Sequence, residues 1–514
     1  MTIKPNRRFV MLTLAILALT LAVSAGMRQS GDELNYAWGP LYTAQAPTPG
    51  QTNDDLFQIA NAQKQSRKQL VRWNRIAIDA SGFDHTGVAP GENRVFGEQL
   101  GPGRSSRAIA IVHIAMFDAL NAIVGGYQSF AGLYPPTPKI FKDAAIAQAA
   151  HDTLVALFPS QKATFDTALA QDLSQIPDGR KKRNGIALGR QAAFSILALT
   201  DHDGAQLPEM RVGVDYFTSD DPGKWRQDPI SLIPLALGAR WGEVTPFVLQ
   251  SGNQFRVPAP PDMTTAAYAT AYDEVKRLGG DGVITPTERT ATQTQIGIYW
   301  AYDGTPSLCA PPRLYNQIAV QIADQMGSND IELARLLALV NVAMSDAGIA
   351  IWESKYFYNL WRPIGGIREA DPGTGPTGLG DGNDATTCDP TFSPLGAPAS
   401  NLTGPNFTPP FPAYPSGHAG FGGALFQILR NFYGKDNIPF TFVSDEFNGV
   451  TKDNSGNSRP LLPRSFATLS QAEEENGQSR IYLGIHWSYD KTEGIAQGRK
   501  VADWVFTHAF LPVQ

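Results

Sequence analysis

Three short segments in the last third of the chain carry residue types that together could hold a multiply charged oxyanion. The first runs Lys355-Tyr-Phe-Tyr-Asn-Leu-Trp-Arg362-Pro363 and the second Pro415-Ser416-Gly417-His418. The third runs Ser479-Arg480-Ile-Tyr-Leu-Gly484-Ile-His486-Trp-Ser-Tyr-Asp490. Lys355, Arg362 and Arg480 bring three positive charges. An arginine fork matches two oxygens of a tetrahedral oxyanion, whereas lysine is a compact point charge. Ser416 offers a hydroxyl donor, and Gly417 lets a backbone N–H come close because no side chain intervenes. A helix predicted to start near His418 would aim its free N–H groups and its dipole at the same place. His418 and His486 add two groups that titrate near neutrality.

Taken singly, each segment is a weak signal. Pro-Ser-Gly-His is more often a plain turn before a helix, and Arg480 and His486 could be ordinary packing residues. The common order and the internal spacings argue for a single site. The rest of the chain sharpens the point. It has 514 residues, 42% of them apolar, and a formal net charge of -6. A sizeable core is possible, no broad basic face is implied, and nucleic acid is not an expected partner. A local knot of Lys and Arg therefore needs its own explanation.

The elements that must position these residues read as helices. Apolar spacing and caps predict helices over 107–124, 143–157, 161–173, 183–200, 265–278, 287–301 and 313–326. A strong one runs over 331–352 behind Ser328, Asn329 and Asp330 as candidate caps, followed by helices over 418–432 and 492–507. Strand signals are weak. Pro and Gly crowd into 204–262 and 371–415, so the expectation is a mostly helical protein with long loops.

Residues 1–25 read as a signal peptide or an N-terminal anchor: Lys4, Arg7 and Arg8 precede an apolar stretch, and Ser24 and Ala25 follow it. Export to the periplasm or outside the cell is expected. An irregular leader over 26–68, an N-terminal helical unit over 69–250 and a C-terminal unit over 251–514 complete the expected organisation. Cys309 and Cys388 are the only cysteines and lack zinc-site spacing. Export permits a bridge between them, and free thiols are the alternative. Asn401-Leu-Thr and Asn406-Phe-Thr match the glycosylation pattern. The other histidines, His85, His113, His151, His202 and His508, are expected to be satisfied core or surface residues.

The three segments match the signature KxxxxxxRP, PSGH, SRxxxGxHxxxD, and so resemble the type-2 phosphatidic acid phosphatase and vanadium haloperoxidase superfamily. The likeness to fungal-type vanadium chloroperoxidases reaches further. It includes Ile298-Tyr-Trp-Ala-Tyr-Asp303-Gly304, Pro311-Pro-Arg-Leu-Tyr-Asn-Gln-Ile318, Ser345-Asp-Ala-Gly348 and Pro410-Phe-Pro-Ala-Tyr-Pro-Ser-Gly-His-Ala-Gly-Phe-Gly-Gly423. It is close over 290–490 and fainter over 70–125. The chain departs from the fungal type in its signal-like N-terminus, its short C-terminal end and its cysteine pair.

The resemblance implies an all-α fold of two four-helix-bundle halves, with the active site in the C-terminal bundle. It implies vanadate as cofactor, bonded through His486, with Lys355, Arg362, Ser416, Gly417 and Arg480 caging its oxygens. His418 would be the acid–base residue, with Lys355 activating a peroxide oxygen. Asp303 would pair with Arg480, and Trp352 and Phe411 would form the halide pocket. The implied reaction takes hydrogen peroxide and chloride or bromide to hypohalous acid, which then halogenates small organic nucleophiles with weak selectivity. The rival is a phosphatase in which His486 attacks phosphorus and Asp490 or Asp303 orients an imidazole. A non-catalytic anion-binding protein is a third reading, against which the two histidines argue.

Overall fold

The structure, a computed structural model, describes residues 68–88, 91–133, 139–303, 308, 310–396, 407–451 and 457–513. The expected signal segment, nearly all of the leader, Cys309, Asn401 and Asn406 lie outside them.

Thirteen α-helices occur among the described residues. They are α1 (Lys68–Asp84), α2 (Gly101–Val124), α3 (Lys142–Leu157), α4 (Lys162–Ser174), α5 (Arg180–Thr200), α6 (Ala266–Leu278) and α7 (Ala291–Tyr299). There follow α8 (Pro312–Gln325), α9 (Asp330–Tyr358), α10 (Pro363–Arg368), α11 (Gly417–Tyr433), α12 (Leu469–Tyr482) and α13 (Ser488–His508). Strands among the described residues are confined to two short antiparallel pairs, β1 (Met210–Arg211) with β2 (Leu235–Ala236) and β3 (Phe440–Phe442) with β4 (Arg464–Phe466). The all-α expectation holds. The spacing did not foresee α1, α10 or α12, and α9 and α13 are longer than expected.

In one group of helices, α2, α3 and α5 pack together with α1 and α4 at their edge; in the other, α9, α11, α12 and α13 pack together. The two groups meet where α2 lies along α9, and one buried apolar cluster runs through both. The division expected at residues 250–251 falls in the long connection between α5 and α6.

Helix α9 is the axis of this arrangement. Of the three candidate caps Asn329 takes the role: its Oδ1 accepts from the N–H of Ile331 and of Glu332, and Glu332 closes the capping box. Apolar residues fill every face, and Leu333–Trp352 is buried throughout. By length and composition α2 and α9 could each cross a membrane, but here both are packed inside the protein. The helix continues beyond Trp352 to Tyr358 and ends on Asn359 in a left-handed conformation, φ 54°. Lys355 therefore sits in its last turn, and Arg362 lies three residues past the break, as N-cap of α10.

Helices α11 and α13 cross almost in backbone contact. A Cβ placed on Gly494 would lie 2.6 Å from the carbonyl oxygen of Ser416, and one on Gly498 only 2.0 Å from that of Gly420. Only glycine permits that approach. The Ser416 N–H also donates to the Asp490 carbonyl at 2.9 Å. The second and third sequence segments are thereby locked in register.

Candidate active site

The ends of five elements converge at one point. Lys355 comes from the end of α9, and Arg362 from the start of α10. Ser416, Gly417 and His418 open α11, Arg480 closes α12, and His486 stands just before α13. Asp303 follows α7, held by a turn in which Tyr302 has φ 44°. Asp303, Trp352, Phe411, Gly417, His418, Arg480 and His486 line a cavity with about 60 Å³ of space for water-sized groups. Lys355 and Arg362 stand behind this wall, buried.

The cations are fixed by carbonyls. The Lys355 ammonium donates to the carbonyls of Pro412 and Ala413, both at 2.8 Å, which uses two of its three N–H groups. Arg362 Nε donates to Phe411 O at 2.9 Å and Nη1 to Ile485 O at 2.8 Å. Arg480 Nη2 pairs with Asp303 Oδ2. What remains is informative: Arg362 Nη2 and Arg480 Nε and Nη1 are buried with no hydrogen-bond partner among the described residues. Leaving a buried donor unmet costs about 1–3 kcal/mol, more for a charged one. Three such nitrogens around one cavity call for an acceptor with several oxygens.

Burial depresses the lysine well below its ordinary range, reinforced by the positive Arg362 nearby, and it pulls the Arg362 guanidinium down to about 9. In both, desolvation penalises the charged form, and an anion in the cavity would favour it.

The two imidazoles have different surroundings. His486 Nδ1 lies 2.8 Å from Asp490 Oδ2, which also accepts the Trp487 N–H at 3.0 Å. With Nδ1–H donating to Asp490 Oδ2, Nε2 carries the lone pair, and Arg362 Nη1 donates to it at 3.0 Å. Burial, then the positive Arg362 and Lys355, keep His486 neutral. Burial lifts the Asp490 carboxyl to about 7 against the pull of Lys355.

His418 Nε2 is 2.6 Å from the Ala301 carbonyl, which can only accept, so Nε2 carries the proton. Its Nδ1 then faces Asp303 Oδ1 at 3.5 Å. Burial, then the positive Arg480, lowers His418 well below its ordinary range, and burial raises Asp303 against the pull of Arg480. The His418 carbonyl accepts from Tyr315 Oη at 2.9 Å and Asn476 Nδ2 at 3.0 Å. Ser416 caps α11, its Oγ accepting from the Ala419 N–H at 3.4 Å.

On the apolar side the Trp352 and Phe411 rings lie 4.9 Å apart. The structure thus brings together all ten residues singled out from the sequence. The N-terminal half also reaches the cavity through His85, Leu100, Gly101 and Pro102, which no motif announced. His85 is satisfied, with Nδ1 on the Ser81 carbonyl and Nε2 accepting from the Gly101 N–H. Among the remaining histidines His113 meets Asn74, His151 bridges Asp152 and Asp166, His508 stacks on Trp504, and His202 is exposed. Cys388 is half-buried, and its thiol donates to the Arg368 carbonyl.

Residues 335–514 match the VCPO second helical-bundle domain. The chain is 31% identical to the vanadium chloroperoxidase of Curvularia inaequalis, over 85% of this chain and 81% of that protein. Its fold is similar to that of a bacterial vanadium-dependent iodoperoxidase, with a TM-score of 0.68 and 24% identity over 88% of this chain and 99% of that one. A holo-type bacterial vanadium-dependent chloroperoxidase follows at a TM-score of 0.58 and 16% identity, over 84% of this chain and 95% of that one. The chain belongs to the vanadium-dependent haloperoxidase family.

Proposed function

We propose that the protein uses bound vanadate and hydrogen peroxide to oxidise halide, chloride or bromide, to hypohalous acid. The observation that carries this reading is the set of guanidinium nitrogens on Arg362 and Arg480 without a partner among the described residues, beside a histidine whose Nδ1 is held by Asp490 and whose Nε2 lone pair is met only by Arg362 Nη1. Vanadate fits such a set: its oxygens are acceptors for the orphaned donors, and an imidazole lone pair can ligate the metal. Bound vanadate would supply Lewis acidity that activates peroxide without a change of metal oxidation state.

His486 is the ligand in this reading, and Asp490 fixes its tautomer and ring orientation. Lys355, Arg362, Arg480, Ser416 and the backbone of Gly417 hold the oxygens. The remaining N–H of Lys355 can donate to a peroxide oxygen and draw electron density from it. His418 acts at Nδ1, taking a proton as peroxide enters, with Asp303 as its neighbour and Arg480 as the partner of Asp303. Trp352 and Phe411 form the apolar side of the cavity, where the halide would sit. Phe411 favours competence toward chloride, with bromide and iodide oxidised more readily. Hypohalous acid leaving the cavity would halogenate small organic nucleophiles with weak selectivity. The charged and apolar pattern of residues 1–25 supports export to the periplasm or outside the cell.

A phosphatase could use the same cage, but the likeness outside the three segments supports the peroxidase. The test is monochlorodimedone halogenation by vanadate-free protein with peroxide and either halide, before and after adding orthovanadate. Activity only after vanadate is expected. No activity from folded protein with either halide, together with hydrolysis of a chromogenic phosphate ester, would overturn the reading.

A further inference from the structure

Trp352 is held by a turn, Leu237–Gly238, that lies outside the three segments. Its indole Nε1 donates to the Leu237 carbonyl at 3.0 Å, and the Tyr356 hydroxyl donates to the same oxygen at 2.9 Å. The Leu237 N–H in turn donates to Pro410 O at 2.9 Å, one residue from Phe411. The next residue, Gly238, has φ 74°, and a Cβ there would lie 2.4 Å from the indole. On the other side, a Cβ on Gly417 would meet the same ring at 3.3 Å. The indole is therefore clamped between two glycines, one of them at the start of α11.

The Leu237–Gly238 turn is itself anchored. The Gly238 N–H donates to Glu209 Oε2, and Glu209 Oε1 pairs with Arg104 of α2. Arg104 also donates to the carbonyls of Ala205 and Leu207 and lies over the Trp241 ring at 5.4 Å. The Glu209 side chain is only 9% exposed and the Arg104 side chain 15%, so water competes little for the pair. A carboxylate shared between a backbone N–H and a guanidinium is a strong and directional tether.

We propose that Glu209 and Gly238 are positioning residues that set the depth of the Trp352 indole in the cavity and, through it, the discrimination between halides. This rests on the assignment of Trp352 to the halide pocket. Chloride is smaller and more strongly hydrated than bromide, so its capture depends more steeply on close, fixed contacts. A carboxylate tied to Arg104 lets α2, which already lines the cavity at Gly101 and Pro102, also set the seat of a ring carried by α9.

The test uses 5-fluorotryptophan-labelled full chain, with the Trp352 fluorine resonance assigned by Trp352→Phe. Glu209→Ala removes both tethers, whereas Glu209→Gln keeps an acceptor for the Gly238 N–H. In vanadate-free protein the Trp352 resonance should move in Glu209→Ala and stay near its original position in Glu209→Gln. In vanadate-loaded protein, Glu209→Ala should raise KM for chloride several-fold while KM for bromide and kcat stay within about twofold. An unmoved resonance in folded Glu209→Ala, or equal changes in the two KM values, would overturn the proposal. If the unsubstituted protein oxidised no halide, the proposed function would fall, and the resonance comparison would still decide whether Glu209 positions the indole.

Discussion

Asp490 lies one helical turn beyond His486 and holds its Nδ1 at 2.8 Å, while the backbone N–H of Asp490's other neighbour on the turn, Trp487, reaches the same oxygen. The ring nitrogen left with a lone pair is thus decided by the first turn of α13. His486→Ala should abolish both vanadate binding and halide oxidation. Asp490→Asn should keep the ligand but weaken binding by about 10- to 100-fold. Titration calorimetry with orthovanadate checks both; affinity unchanged in the His486 variant would remove it as ligand.

Lys355 is buried and spends two N–H groups on loop carbonyls, so its role separates into holding the loop and serving the substrate. Lys355→Ala should still bind vanadate and, at saturating vanadate, lose on the order of a hundredfold in kcat, the scale of one lost preorganised donor. Steady-state bromide oxidation is the measurement, and unchanged kinetics would refute the assignment.

The α11–α13 crossing should tolerate no added carbon. Gly498→Ala places a methyl group against the Gly420 carbonyl, a backbone atom that cannot swing aside. Overpacking of this kind costs about 1–3 kcal/mol. Chaotrope unfolding of vanadate-free protein should show the loss, and a midpoint equal to that of the unsubstituted chain would mean the helices can slide apart freely.

His113 of α2 is buried, hydrogen-bonded to Asn74 and driven down by burial to about 3. Below about pH 6.5 the unfolded chain takes up a proton there that the folded chain refuses. Stability attributable to this residue is therefore complete above pH 6.5 and is lost as pH falls toward 3, by about 1.4 kcal/mol per pH unit. His113→Gln keeps a donor for Asn74 and should flatten the stability profile between pH 6 and 4. Parallel profiles for the two proteins would contradict the buried neutral imidazole.

Much of the site was legible because its chemistry is concentrated at helix ends, where residue type and spacing speak directly. Lys355, Arg362, Ser416, Gly417, His418, Arg480 and His486 fall in three short segments whose spacing survives folding. What stayed hidden was the scaffold. Helix α12, which carries Arg480, is rich in Glu, Gln and Ser, and its buried Glu473 is compensated by Arg430 and Arg499 from other helices. No period along the chain reveals such pairing. His85, Glu209 and Gly238 reach the cavity or its wall by tertiary contact alone. The glycines of α11 and α13 look like helix weaknesses until the neighbouring backbone is seen.

Helix α9, about 43 Å long at 1.5 Å per residue, gives its sides to both groups of helices and none to water along its buried run. A rod shared in this way belongs to neither half. The stretch that matches the second-bundle family begins at residue 335, inside that helix. Modularity in the alignment is therefore not modularity in the fold: cut loose at that point, the C-terminal segment would carry the flank that α2 had covered as a bare greasy seam. The C-terminal segment is not portable, and the two groups of helices should melt as one.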